Sequence, residues 1–256
     1  MLDGRLPDNQ IDLPAGSDQG PKRNAKPPVL LVLHQQHSNP GHVGQWFRRN
    51  GYELDTRRHF AGEPLPSTLA AHCGAVIFGG PQSANDKIDF IRREIDWIGV
   101  PLKEGKPFLG ICLGAQMLAH HLGGRVDHCP EGRIEVGYHP IRVTQAGARL
   151  GLPDTVYQWH REGFDLPRDG VLLATGDGAY PNQAFQYGSG FGVQFHPEIT
   201  FVQVNRWSGS SPMRLLMRGA KPRQQQMERH LMEAPRVHRW LDGFLRQWVR
   251  GKLSPA

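Results

Sequence analysis

The chain has 256 residues, with 30 Lys/Arg against 24 Asp/Glu, a formal net charge of +6, and three cysteines. That length holds one sizeable α/β domain with a real core, and an odd, sparse set of cysteines argues against a disulfide framework. No apolar run approaches the roughly 20 residues of a membrane span, and the N-terminus lacks the apolar segment of a secretory signal, so a cytoplasmic protein is expected.

Met1 to Lys26 is rich in Asp, Gly, Pro and Asn. It reads as a disordered tail outside the fold, leaving residues 27–256 as the domain. Val29–Leu33 is a continuous apolar run, the pattern of a strand buried on both faces. His42 to Arg49 predicts a helix with Val43, Trp46 and Phe47 inward, ended by Asn50-Gly51. Ala75–Phe78 is a second buried strand, followed by Gly79-Gly80-Pro81-Gln82-Ser83. Alone, that run is a turn signal. Glycines after a strand also free backbone N–H groups to face a ligand, as an acyl-transfer site requires where an oxyanion develops. Within Asn85 to Leu102, Ile88, Ile91, Ile95 and Ile98 are spaced by three or four, which predicts an amphipathic helix running to about Gly99. Pro107–Ile111 is then a third buried strand. The alternation predicts a mostly parallel sheet with helices on both faces, whose ligands bind at the carboxyl ends of strands.

The third strand stops at Cys112, with Gly110 and Gly114 two residues away on either side. Leu113 to Leu122 follows with Ala115, Leu118, Ala119 and Leu122 at helical spacing, and Gly123-Gly124 ends it. A cysteine between a strand and a helix, flanked by glycines that permit a sharp turn, has the form of a nucleophile elbow. Its thiol would stand beside the positive end of a helix, which favours thiolate. A small cysteine packing as a hydrophobe has the same local pattern. Gly192-Val-Gln-Phe-His196-Pro-Glu198 is another strand-like run, and its histidine lies 84 positions beyond Cys112. A thiol nucleophile needs a base, and the base an orienting group. His196 and Glu198 can supply both, with Pro197 fixing the turn between them.

Gly-Gly-Pro, Gly-Ile-Cys-Leu-Gly-Ala-Gln and Phe-His-Pro-Glu, in this order and at these separations, resemble a class I (triad-type) glutamine amidotransferase domain. The resemblance runs from about Val29 to Thr200 and is closest to free-standing proteins similar to the glutaminase domain of GMP synthetase. It implies a flavodoxin-like α/β core and hydrolysis of the glutamine side-chain amide. Cys112 is then the nucleophile, His196 the general base and acid, and Glu198 its orienting partner. The N–H groups of Gly80 and Leu113 would form the oxyanion hole, and Gln116 and Gly79 would border the substrate. No cofactor is expected, and no His/Cys grouping has the spacing of a zinc site.

Residues 134 to 195 are short, β-biased segments with turn signals between them. The resemblance places an Ile134–Val143 hairpin and the strands after it at the sheet edge, near the glutamine pocket. Trp159-His160-Arg161-Glu162 resembles the family's Trp-His-Gly-Asp/Glu segment, with Arg161 in place of the usual small residue. His160 is a second candidate base, but His196 has the partnered carboxylate. From Arg206 to Lys252 there are eleven Lys/Arg and three Asp/Glu, a net +8. Val237, Trp240, Leu241, Phe244, Leu245 and Trp248 form one apolar helical stripe within it. The expectation is a helix docked on the core with its arginines in water, not a nucleic-acid site, since no groove-reading motif is present. Ser208–Pro212 and Gln224-Gln225-Gln226 read as loop.

Two functions fit these residues. One is a glutaminase delivering ammonia to a separate synthetase, because the chain has no phosphate-cradling loop of its own. The other is a stand-alone hydrolase of γ-glutamyl amides or peptides.

Overall fold

The computed structural model describes residues 26–253, so nearly all of the expected 1–26 tail lies outside the described residues. In chain order the elements are β1 (Val29–Val32), α1 (Gly41–Arg49), β2 (Leu54–Arg57), a 3-10 turn at His59–Ala61, β3 (Gly74–Ile77), α2 (Asp89–Trp97), α3 (Gly99–Lys103), β4 (Phe108–Ile111) and α4 (Leu113–His121). There follow β5 (Val126–His128), β6 (Glu135–Val143), α5 (Gln145–Arg149), β7 (Thr155–His160), β8 (Glu162–Phe164), β9 (Val171–Gly176), β10 (Asn182–Tyr187) and β11 (Gly190–Val193). The chain closes with α6 (Phe201–Ser210), α7 (Pro212–Leu215) and the long α8 (Arg223–Trp248).

Nine strands form one sheet in the order β2-β1-β3-β4-β11-β10-β9-β6-β7. β2, β1, β3, β4 and β11 run parallel, and the remaining pairings are antiparallel. The expected parallel core is therefore present, and the antiparallel edge grows to four strands. β5 and β8 form a separate two-stranded ribbon.

Burial on both faces explains why the interior parallel strands β1, β3, β4 and β11 carry no polar side chain, unlike the edge strand β2. Val29, Leu31 and Leu33 face one side, where they meet Val43, Phe47, Leu241, Phe244 and Trp248 of α1 and α8. Leu30 and Val32 face the other, where they meet Ile91, Ile95, Leu113, Met117 and Leu118 of α2 and α4. α8 docks as its stripe predicts: Val237, Leu241, Phe244, Leu245 and Trp248 are buried, while Arg236, Arg239 and Arg246 are exposed. Trp248 packs on Phe47 with centroids 6.1 Å apart, and a side chain at Gly74 would stand 2.6 Å from its ring.

Three expectations need correction. The helix predicted from Asn85 to about Gly99 starts only at Asp89, leaving Ile88 extended and 45% exposed. It is interrupted after Trp97, because Pro101 has no N–H to offer the Trp97 carbonyl. Ile134–Val143 is not a hairpin in itself. From Glu135 to Val143 it is one nine-residue strand that pairs with β7 as far as Pro140 and with β9 from Ile141 onward. The expected loops are helical too: Ser208 lies inside α6, its Oγ donating to the Val204 carbonyl at 2.6 Å. Gln226 belongs to the first turn of α8 and is fully buried, accepting from Tyr157 Oη and donating to the Lys221 carbonyl. Polar composition suggested loop, but each of these side chains finds a buried partner.

Candidate active site

β3, β4 and β11 lie side by side with their carboxyl ends together, and each delivers one part of a single cavity of about 320 Å³. Its lining includes Gly79, Gly80, Cys112, Gln116, His160, Arg161, Glu162, His196 and Glu198. That size is at the low end of ligand pockets, about 300–1,000 Å³, and suits a small metabolite.

Cys112 holds the tip of the elbow with φ 52° and ψ −106°, a conformation that costs a non-glycine residue of order 1–3 kcal/mol. Its surroundings over-determine it. The Cys112 N–H donates to the Val193 carbonyl at 2.8 Å, and its carbonyl accepts from the Gln116 N–H at 3.0 Å. The turn leaves no room at the flanking glycines. A Cβ at Gly110 would come 2.3 Å from the Gly114 carbonyl oxygen, and one at Gly114 would come 2.1 Å from that of Ile77.

His196 and Glu198 follow the end of β11 and are 3% exposed each. His196 Nδ1 lies 2.8 Å from Glu198 Oε1. Among the described residues its Nε2 has no hydrogen-bond partner. Burial alone would favour the neutral ring, but the Glu198 carboxylate and then Cys112 outweigh it and push the imidazole pKa up to about 10. The backbone of Glu198 is fixed from outside, its carbonyl accepting from the His42 N–H at 2.8 Å. Gly41 makes that approach feasible, since with φ +54° a Cβ there would sit 2.2 Å from the same oxygen.

Gly79 separates the imidazole from the elbow: a methyl in its place would lie 2.7 Å from His196 Cε1 and 3.4 Å from Cys112 Cβ. The N–H groups of Gly80 and Leu113 have no acceptor among the described residues. The Leu113 side chain itself points into the core. Gln116 is buried on the first turn of α4, its amide donating to the Glu162 carbonyl at 2.8 Å and to Gln194 Oε1 at 3.2 Å. His160, the second candidate base, also lines the cavity, but both ring nitrogens are engaged elsewhere. Nδ1 is 2.9 Å from the Glu162 carbonyl, and Nε2 is 3.0 Å from Glu135 Oε2 and 3.1 Å from Gln158 Oε1. Burial would raise the Glu135 carboxyl, yet the His160 contact holds it below its ordinary value. Glu162 accepts from Ser83 Oγ at 2.9 Å. Among the described residues no group of three or more His, Cys, Asp or Glu is arranged to hold a metal.

Sequence reasoning missed several lining residues. Trp207 stands edge-on to His196, with centroids 5.0 Å apart, and packs beside Trp159 of the segment already singled out in sequence. Arg206 and Arg214 come from the C-terminal segment, whose charge is visible in sequence but whose placement is not. Beneath Gly80 lies a fully buried pair, His34 Nε2 to Glu94 Oε2 at 2.7 Å, and a Cβ at Gly80 would meet His34 Cβ at 2.7 Å. The glutamate falls inside an amphipathic helix pattern that conceals it.

The chain is similar to known proteins over most of this architecture. A family model described as Glutamine amidotransferase class-I matches residues 43–204. The glutamine amidotransferase-like protein YfeJ of Salmonella typhimurium is 34% identical over 188 residues, covering 69% of this chain and 77% of that protein. The glutamine-hydrolysing GMP synthase of Neisseria gonorrhoeae is 31% identical over 144 residues, 52% of this chain but only 26% of the synthase. A crystal structure of a glutamine amidotransferase from Thermotoga maritima superposes with a TM-score of 0.78 at 29% identity, covering 89% of this chain and 99% of that one. The chain belongs to the class I glutamine amidotransferase family.

Proposed function

We propose that this chain hydrolyses the γ-amide of glutamine, giving glutamate and ammonia, with Cys112 as nucleophile, His196 as acid and base, and Glu198 as its orienting partner. The observation that carries this reading is the buried His196–Glu198 pair beside the strained Cys112, with Nε2 making no hydrogen bond among the described residues and both Nε2 and Cys112 Cβ bordering Gly79. His160 is the weaker candidate because both of its nitrogens are engaged elsewhere.

The steps follow from these groups. The thiol proton passes to His196 Nε2, in keeping with its raised pKa. The thiolate attacks the side-chain carbonyl carbon of glutamine, and the oxyanion that forms meets the free N–H groups of Gly80 and Leu113. His196 gives its proton to the amide nitrogen, the C–N bond breaks, and ammonia leaves a thioester on Cys112. His196 then takes a proton from water, whose oxygen attacks the thioester and releases glutamate and the thiolate. Gln116 and Gly79 border the bound side chain. The ammonia acceptor on this reading is a separate synthetase, in keeping with the likeness to the glutaminase region of GMP synthases.

A second reading, a stand-alone hydrolase of γ-glutamyl amides or peptides, uses the same steps with a larger amine leaving. It is favoured by the cationic outer wall of the cavity, where Arg161, Arg206 and Arg214 stand. Ammonia release by the isolated chain from glutamine, set beside amine release from a panel of γ-glutamyl amides, tests both. Turnover of neither, by a chain whose Cys112 also resists a glutamine-derived electrophile, would refute both.

A further inference from the structure

The cavity has two walls of opposite character. The inner wall holds the Cys112 elbow, the His196–Glu198 pair and the neutral amides of Gln116 and Gln203. Its two acids are engaged, Glu198 by His196 and Glu162 by Ser83 and, at 3.5 Å, by His128. The outer wall is built by the β7–β8 turn and by α6 and α7, and it presents Arg161, Arg206 and Arg214.

None of these arginines has an acidic partner among the described residues. Arg206 is tied to the backbone, its Nη1 donating to the His37 carbonyl at 3.0 Å. Arg214 is half-buried, its guanidinium 5.5 Å from the centre of the Trp159 ring. That stacking spends one face of the planar group and leaves its N–H edge free to donate. Arg161 lines the same cavity, and burial first, then the Arg161 charge, lower the Arg214 pKa, while Cys112 raises it. Two cations that line one cavity without a carboxylate partner are stabilised when an anion joins them.

We infer that Arg161 and Arg214 bind an anionic group, a carboxylate in chemical class, that the substrate carries in addition to its scissile amide. This rests on the proposed γ-glutamyl hydrolysis and narrows its substrate. The carboxylate has two sources. It is the α-carboxylate of the glutamyl part, or it belongs to the leaving amine, in which case the substrate is a γ-glutamyl amino acid. Arg214 lies beyond residues 43–204, the span of the family match.

Binding and turnover test this separately. Titrating the Cys112→Ala chain with L-glutamate, γ-glutamylglycine and γ-glutamyl methylamide reads occupancy through the fluorescence of Trp159, which lies under Arg214. Arg161→Gln and Arg214→Gln, each placed in that background, should weaken binding of the recognised carboxylate by about 10- to 100-fold, the usual worth of a charge-assisted hydrogen bond. Arg214→Lys should restore only part, since a point charge cannot reproduce the fork. Loss confined to γ-glutamylglycine assigns the anion to the leaving amine. Equal loss for all three assigns it to the α-carboxylate. In the chain that retains Cys112, the loss should appear in KM rather than kcat. Unchanged binding of all three ligands in both glutamine variants, or no binding of any of them by the Cys112→Ala chain, would overturn the assignment. Unchanged binding beside a Cys112 that still turns over glutamine would leave the hydrolase reading intact.

Discussion

Gly79 lies so close to His196 that a single added methyl group would press against the imidazole at 2.7 Å from Cε1. The glycine is therefore a spacer between ring and elbow, and its φ lies outside the left-handed region. Gly79→Ala should fold with near-normal stability yet lose about 10²-fold in kcat, the cost of displacing a reacting group by an ångström or so. Steady-state ammonia release beside a melting curve checks this; an active Ala variant would show that His196 has room to give.

Cys112 concentrates both strain and chemistry. Cys112→Ala and Cys112→Gly should each abolish turnover, whereas their stabilities should differ. Glycine tolerates φ 52° and alanine does not, so the Gly variant should be the more stable by about 1 kcal/mol on chemical denaturation. A glutamine-derived electrophile should alkylate Cys112 and spare Cys73 and Cys129 on peptide mapping. Burial pushes the Cys73 thiol up to about 11, which leaves it little thiolate at neutral pH.

The raised pKa of His196 has a direct spectroscopic consequence. Its ring should remain protonated through pH 8 in NMR titration, and Glu198→Gln should bring the midpoint down, because the carboxylate is the main influence raising it. The stabilisation is fully present below the ordinary value of 6.5 and is lost as pH rises through about 10. The Tm gap between the native chain and Glu198→Gln should therefore narrow between pH 6.5 and 10. A widening gap would mean that the ring is neutral in the folded protein.

Acid should act elsewhere. His230 and His238 on α8 are pushed down to about 4, in both cases mainly by burial, and His238 also by His42 stacked 3.9 Å away. Their neutral forms accept from Tyr138 Oη and donate to the Ile199 carbonyl respectively. Folded pKa values below the ordinary 6.5 mean stability that is complete above 6.5 and lost as pH falls through about 4. His238→Gln, which keeps a donor but cannot titrate, should flatten the fall in Tm between pH 6.5 and 4. An unchanged slope would remove His238 as its cause.

What could be read from the residues was whatever is local. The elbow at Cys112, the apolar strands and the α8 stripe are each encoded within a few positions of one another. Ile88 misled because its spacing is helical, while the exposed start at Asp89 depends on how the helix sits against the sheet. The polar runs at Ser208 and Gln226 misled because their partners, Val204 and Tyr157, are buried only once α6 and α8 have packed. Of the cavity, the glycines and the Cys112, His196 and Glu198 positions stand out in sequence by turn chemistry. Trp207, Arg206 and Arg214 do not, since their relation to the elbow is made entirely by the tertiary path of α6 and α7.

The register that sets Val193 beside Ile111 also fixes a moment in synthesis. β11 is an interior strand, inserted between β4 and β10, and it leads directly to His196. A nascent chain that has emerged as far as β10 therefore already contains Cys112 but not yet His196. Ribosomes add about 5–20 residues per second, and pairings between strands distant in the chain form late. On the proposed mechanism the thiol is inert on the ribosome, and closure of the last central strand switches it on.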